Sequence, residues 1–190
     1  MQNSNNSMVK PKVKNSLDIF QESFIHVKRD TLQINDHPPY PYYVLKTSPF
    51  AVIILASTKE NEFLFIHEYR HPTGKFILSC PAGYIETSED PLCAAERELL
   101  EETGYQGESF KVIGSAYPYA GITGQKNIFV KAFHVSYLQP PRLERSEIIQ
   151  PVLVSKNELF NRIRNGAELD ANLLAALSFN ALEKCIGLDT

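Results

Sequence analysis

The stretch RELLEETGY, residues 97–105, gathers Arg97, Glu98, Glu101 and Glu102 just before Gly104. On a helix, residues three and four apart share a face, so Glu98 and Glu102 project together with Glu101 beside them. The placement works against the helix. A carboxylate near a helix C-terminus costs roughly 0.3–1 kcal/mol through the dipole. Like charges four residues apart add roughly 0.2–0.5 kcal/mol of repulsion, of which Arg97 offsets only part. A solvated acidic face gains nothing from this arrangement. A divalent cation accounts for it, because hard ions such as Mg²⁺ take one or two carboxylates together with waters and substrate phosphates. Upstream, Gly83 in CPAGYIE permits close backbone approach, and backbone carbonyls of that turn offer a further oxygen ligand.

These residues need a frame. Asp90 followed by Pro91 is a helix start, and Leu92, Ala95 and Leu99 form one apolar stripe. Gly104 ends the helix as a left-handed cap. Before it, residues 24–34 and 42–47 read as two strands of a hairpin-like N-terminal unit. Residues 50–57, FAVIILAS, are apolar throughout, as in a strand buried on both faces. Residues 63–70, FLFIHEYR, form a second core strand, and 76–80 a short one. After the helix, 109–119, 126–138 and 151–155 read as strands, and 156–166 and 170–185 as helices. Strands followed by helices mixed with strands predict an α/β sandwich around a mixed sheet.

The chain has 190 residues, enough for one domain with a small appendage and a core that needs no disulfides. A net charge of -3 without a basic patch argues against a nucleic-acid partner. The longest apolar run, residues 50–56, falls short of the ~20 residues that a membrane span requires. Cys80, Cys93 and Cys185 show no CxxC spacing, so neither a disulfide framework nor a zinc site is indicated, and a reducing cytoplasm is the expected setting. The first residues lack the apolar run of a signal peptide. Residues 1–15 are expected to be a disordered tail, 16–47 the N-terminal β unit and 48–190 the main domain.

The stretch GYIETSEDPLCAAERELLEETGY resembles the Nudix box, matched by Gly83, Glu89, Arg97, Glu98, Leu99, Glu101, Glu102, Gly104 and Tyr105 at every spacing. An aliphatic residue is commoner at the position of Tyr105. The resemblance implies an α/β/α sandwich and hydrolysis of a nucleoside diphosphate linked to another group, with Mg²⁺ or Mn²⁺. By the same resemblance Glu98 and Glu102 are the principal metal ligands, joined by Glu101 and the Ala82 carbonyl. Arg97 orients the glutamates, and Glu89 and Gly104 support the loop and helix.

Residues 45–180 further resemble ADP-ribose pyrophosphatases, through FLFIHEYRHPTGKFILSCPAGYIE, AYPYAGITGQKNIFVKAF and LERSEIIQPVLVSKNELFNRI. Two departures stand out: Ser79 where the family commonly has an acidic residue, and PYAG in place of Ser-Pro-Gly. The resemblance points to Glu147, then Glu144, as the group that orients or deprotonates water; its alternative is a loop surface residue. Arg70 and Gly83 are candidates for substrate contact, Arg70 through its fork geometry. Phe24, Tyr42 and Tyr43 are candidates for base stacking, against ordinary strand packing. A homodimer built on the N-terminal unit is the family expectation. Other sugar nucleotides such as GDP-mannose, oxidised nucleoside triphosphates, and a non-catalytic nucleotide-sugar sensor are the alternatives. The sensor reading sits poorly with a box that keeps all its glutamates.

Overall fold

Three N-terminal strands, β1 (Lys12–Glu22), β2 (Ile25–Gln33) and β3 (Tyr40–Lys46), pair antiparallel in that order. The computed structural model describes residues 8–22 and 25–186. Strand β1 begins inside the segment expected as a tail, and the hairpin expected here is a three-stranded sheet. Its pairing with β2 shifts register between Val13 and Asn15 and again between Asp18 and Phe20. Each shift breaks the period-two pattern by which a strand is read from sequence. The segment Tyr119–Gln125 belongs to the same compact unit as this sheet. The Leu45 N–H donates to the Ile122 carbonyl at 2.8 Å.

The second unit spans Phe50–Pro118 and Lys126–Thr190. Its strands are β4 (Phe50–Ser57), β5 (Phe63–Arg70), β6 (Lys75–Ser79), β7 (Ala82–Tyr84), β8 (Tyr105–Gln106), β9 (Ser109–Ala116), β10 (Lys126–Phe133), β11 (Ser136–Tyr137) and β12 (Ile149–Val154). Seven of them form one sheet in the order β12-β5-β4-β10-β9, with β6 on β5 and β7 on β4. The β4–β10 pair is parallel and the others antiparallel, so the sheet is mixed. Six consecutive residues of β4 are buried, as its unbroken apolar run requires.

Helices cover both faces. α1 (Pro91–Thr103) packs Ala94, Ala95 and Leu99 against Val52, Ile54, Leu64 and Val130. α2 (Lys156–Arg164) and α3 (Ala171–Ile186) place Leu159, Leu173 and Ala176 against Ile53, Phe65 and Phe129 on the other face. The result is the expected α/β/α sandwich. Local sequence sets the helix ends. The Asp90 carboxylate accepts from the Leu92 N–H, with Pro91 at the first helical position. Ser155 accepts from the Glu158 N–H at the start of α2. Among the described residues, no helix is long and apolar enough to cross a membrane.

Candidate active site

Side chains alternate along β5, and its face toward α1 reads Leu64, Ile66, Glu68, Arg70. The first two are core. The last two switch to charge, which marks where the core gives way to a cavity of about 340 Å³. Glu68, Arg70, Gly83, Glu98, Glu102 and Glu147 are among its lining residues. An adjoining recess of about 110 Å³ is lined by Glu101, Arg142 and Glu144 together with Arg97, Glu98, Glu102 and Glu147.

Arg97 organises the acidic side of α1. Its Nε and Nη2 donate to the two oxygens of Glu89 at 2.9 and 3.0 Å. Nη1 donates to Glu98 at 2.7 Å and to Glu101 at 3.1 Å, and Nη2 also reaches the Tyr84 carbonyl at 3.0 Å. One guanidinium thus joins the entry loop, strand β7 and two of the clustered glutamates. The Arg97 fork holds the Glu89 carboxyl below its ordinary value, and hydrogen bonding to Glu89 raises Arg97 in turn.

Glu102 is 5% exposed, and the Ala82 N–H donates to its Oε2 at 2.9 Å. Burial pushes its proton affinity well above the usual carboxylate range, the Ala82 hydrogen bond opposes that, and Glu98, Glu68 and Glu147 add to it. Burial likewise raises Glu98 against the pull of Arg97. Gly83 explains how Glu98 comes so close to the β7 backbone. A Cβ there would stand 2.0 Å from the Glu98 carboxyl carbon, so only glycine leaves that space to the carboxylate.

Among the described residues, no three His, Cys, Asp or Glu side chains converge tightly enough to grip an ion alone. The donors instead fit an open site of the Mg²⁺ type, in which two carboxylates are completed by water and substrate oxygen. The desolvation of Glu98 and Glu102, only partly offset by Arg97 and the Ala82 N–H, and the space left by Gly83 both suit such an ion. Glu101 is 46% exposed in its side chain and sits in the recess, held by Arg97.

Glu144 and Glu147 lie in the loop before β12. The Glu144 N–H donates to Glu147 Oε2 at 2.8 Å, and the Glu147 N–H to the Glu144 carbonyl at 3.0 Å. Gly104 caps α1 at φ 74°, and its carbonyl accepts from the Leu138 and Gln139 N–H groups. Tyr42 and Tyr43 belong to β3 in the other unit, where the Tyr42 hydroxyl donates to the Gly121 carbonyl at 2.7 Å. Phe24 lies outside the described residues. Sequence reading passed over Glu68, and the charged end of the β5 face is the signal that could have found it. Ser79 is buried with its hydroxyl unpartnered.

A family model for the NUDIX domain matches residues 47–177. The ADP-ribose pyrophosphatase of Bacillus subtilis (strain 168) is 28% identical over 139 residues, 73% of this chain and 75% of that protein. The methanol dehydrogenase activator of Bacillus methanolicus matches to the same extent, 28% over 139 residues, 73% of this chain and 75% of that protein. The ADP-sugar pyrophosphatase of Mus musculus is 30% identical over 116 residues, 58% of this chain and 53% of that protein. A solved structure described as an ADP compounds hydrolase superposes with a TM-score of 0.83 at 20% identity, covering 95% of this chain and 98% of that one, which speaks to the fold.

Proposed function

The chain belongs to the NUDIX family, and from that premise we propose that it hydrolyses the pyrophosphate bond of a nucleoside diphosphate sugar, ADP-ribose above all, to AMP and ribose 5-phosphate. One observation carries the reading: Arg97 and Gly83 hold Glu98, beside buried Glu102, at a cavity where Arg70 can meet a phosphate. Relatives named as ADP-ribose and ADP-sugar pyrophosphatases support the choice of substrate.

A divalent ion held by Glu98 and Glu102, Mg²⁺ in our reading with Mn²⁺ able to replace it, would neutralise phosphate charge and acidify a water. The residues of the chain do the rest. Arg97 fixes the two-glutamate geometry through Glu89 and Glu98, with Glu101 as a further acidic group. Arg70 binds a phosphate oxygen. Glu147 orients the attacking water and accepts its proton, with Glu144 holding the loop geometry around it. The new P–O bond forms on one phosphorus as the bridging P–O bond breaks, so one water is added across the anhydride.

We assign the three-stranded unit to a homodimer interface, because β1 is an edge strand exposed along its length and carries Leu17, Ile19 and Phe20. Cytoplasmic residence fits three free cysteines. The test is product analysis with Mg²⁺ and ADP-ribose, GDP-mannose, NADH or 8-oxo-dGTP, beside Glu147→Gln. AMP from ADP-ribose, reduced about a hundredfold or more in the variant, is expected from loss of a general base. Turnover of another substrate alone would overturn the substrate assignment. Unchanged turnover in the variant would overturn the role of Glu147.

A further inference from the structure

We propose that Glu68 is a positioning residue for pyrophosphate recognition, acting through Arg70. The inference rests on the pyrophosphate reading of the cavity. Glu68 is 9% exposed on a face of β5 that is otherwise apolar until it reaches the site. Arg70 Nη1 lies 2.6 Å from Glu68 Oε1, while the Arg70 side chain remains 47% exposed. Both side chains line the same cavity as Glu98 and Glu102. A guanidinium has five donors in a planar fork, so one edge committed to Glu68 leaves others free for an anion. Without that anchor a long side chain at a strand end would sample many rotamers and spend conformational entropy on binding.

The placement is otherwise unfavourable for Glu68. Burial raises its proton affinity, Arg70 lowers it, and Glu147 and Asp170 push it up again. A carboxylate kept there against burial and like charge has Arg70, among the described residues, as the cation that opposes both. The neighbouring strand supplies no alternative acid. Ser79 lies diagonally across the β5–β6 pairing on the same face, since Ile66 pairs with Ser79 and Glu68 with Ile77. Its hydroxyl is buried and unpartnered. The carboxylate of this corner therefore comes from β5.

The sign of the effect separates positioning from plain charge. Removing a negative group near an anion site should tighten anion binding if Glu68 acts only through its field. It should weaken binding if Glu68 holds Arg70. The experiment is calorimetric titration of the full chain with inorganic pyrophosphate in chelator, so that neither turnover nor metal enters. Glu68→Met keeps the volume and removes the acceptor, and Glu68→Gln keeps a carbonyl acceptor. We expect Glu68→Met to raise Kd about tenfold, the scale of one charge-assisted hydrogen bond, and Glu68→Gln to raise it less. In the Arg70→Ala background Glu68→Met should add nothing, because the two residues act as one unit. Tighter binding in both variants, or a full additional loss on top of Arg70→Ala, would overturn the proposal. Failure of the wild-type protein to cleave ADP-ribose would overturn the substrate reading and leave this cycle decisive.

Discussion

Glu89, in the loop entering α1, has both carboxylate oxygens on Arg97, and one of them also accepts from the Glu86 N–H. Glu102, in the last turn of the same helix, is buried and meets the Ala82 N–H. Arg97 holds the first below the ordinary glutamate range, and burial holds the second well above it. The same side chain is completed by the protein at one end of the helix and left incomplete at the other. The first is architecture. The second is a demand for positive charge that has to arrive from outside the chain. Glu98 stands between them, bonded to Arg97 yet desolvated enough to be raised.

The largest expected effect tests the incomplete end. Glu102→Gln should lower kcat/KM by about a thousandfold, beyond the 10–100-fold typical of groups that merely support a metal ligand. In metal-free protein near neutral pH the same substitution should raise the melting temperature, because it removes a buried acid whose desolvation the Ala82 hydrogen bond offsets only in part. An inactive variant that is also less stable would break the comparison. Next comes Gly83→Ala. The added methyl must displace the flexible end of Glu98, so activity should fall about a hundredfold, as misplacement by an ångström can do. Its melting temperature should hardly move, and a collapse of the fold would show that Gly83 serves stability instead.

Glu89→Gln addresses the completed end. Activity should fall about tenfold, at the low side of the range for supporting groups, with a lower melting temperature. The smallest effect is the pH profile of stability in chelator. Glu98 and Glu102 are raised acids, so their contribution is full below the ordinary glutamate value of 4.5 and is lost as pH rises through their raised values. Glu89 is lowered, so its contribution is present above 4.5 and is lost as pH falls through its lowered value. Thermal melts from acid to neutral pH should show a larger first loss in wild type than in Glu102→Gln, where only Glu98 remains to contribute. Mg²⁺ should flatten the wild-type curve.

The core of the fold was legible where one local signal dominated. The apolar run of β4, the cap and stripe of α1 and the left-handed Gly104 all stand where the residue types put them. Strand β1 was hidden because its two register shifts erase the alternation. Strand β7 was hidden because three residues within a proline- and glycine-bearing turn carry no period at all. In the site, spacing alone brought Arg97 together with Glu98, Glu101 and Glu102. Glu68 escaped because a strand residue is read by its alternation, and its meaning lies in where the apolar face of β5 stops. The Ala82 amide, which bonds Glu102, was equally invisible, since any residue can supply an N–H there.

The segment that carries Glu147 is fastened on either side of it. Its Arg142 N–H is bonded to the Glu101 carbonyl at 2.7 Å, and the Ile148 carbonyl accepts from the Tyr69 N–H at 3.0 Å. Glu147 therefore hangs on a short leash whose two pins are the last turn of α1 and the strand that carries Glu68 and Arg70. Its reach is fixed by chain length, at about 3.3–3.6 Å for each residue between the pins. Lengthening that span would change how far Glu147 can swing without altering a single side chain in the site. The acid we propose to orient water is thus moored to the two elements that bear Glu98, Glu102 and Glu68.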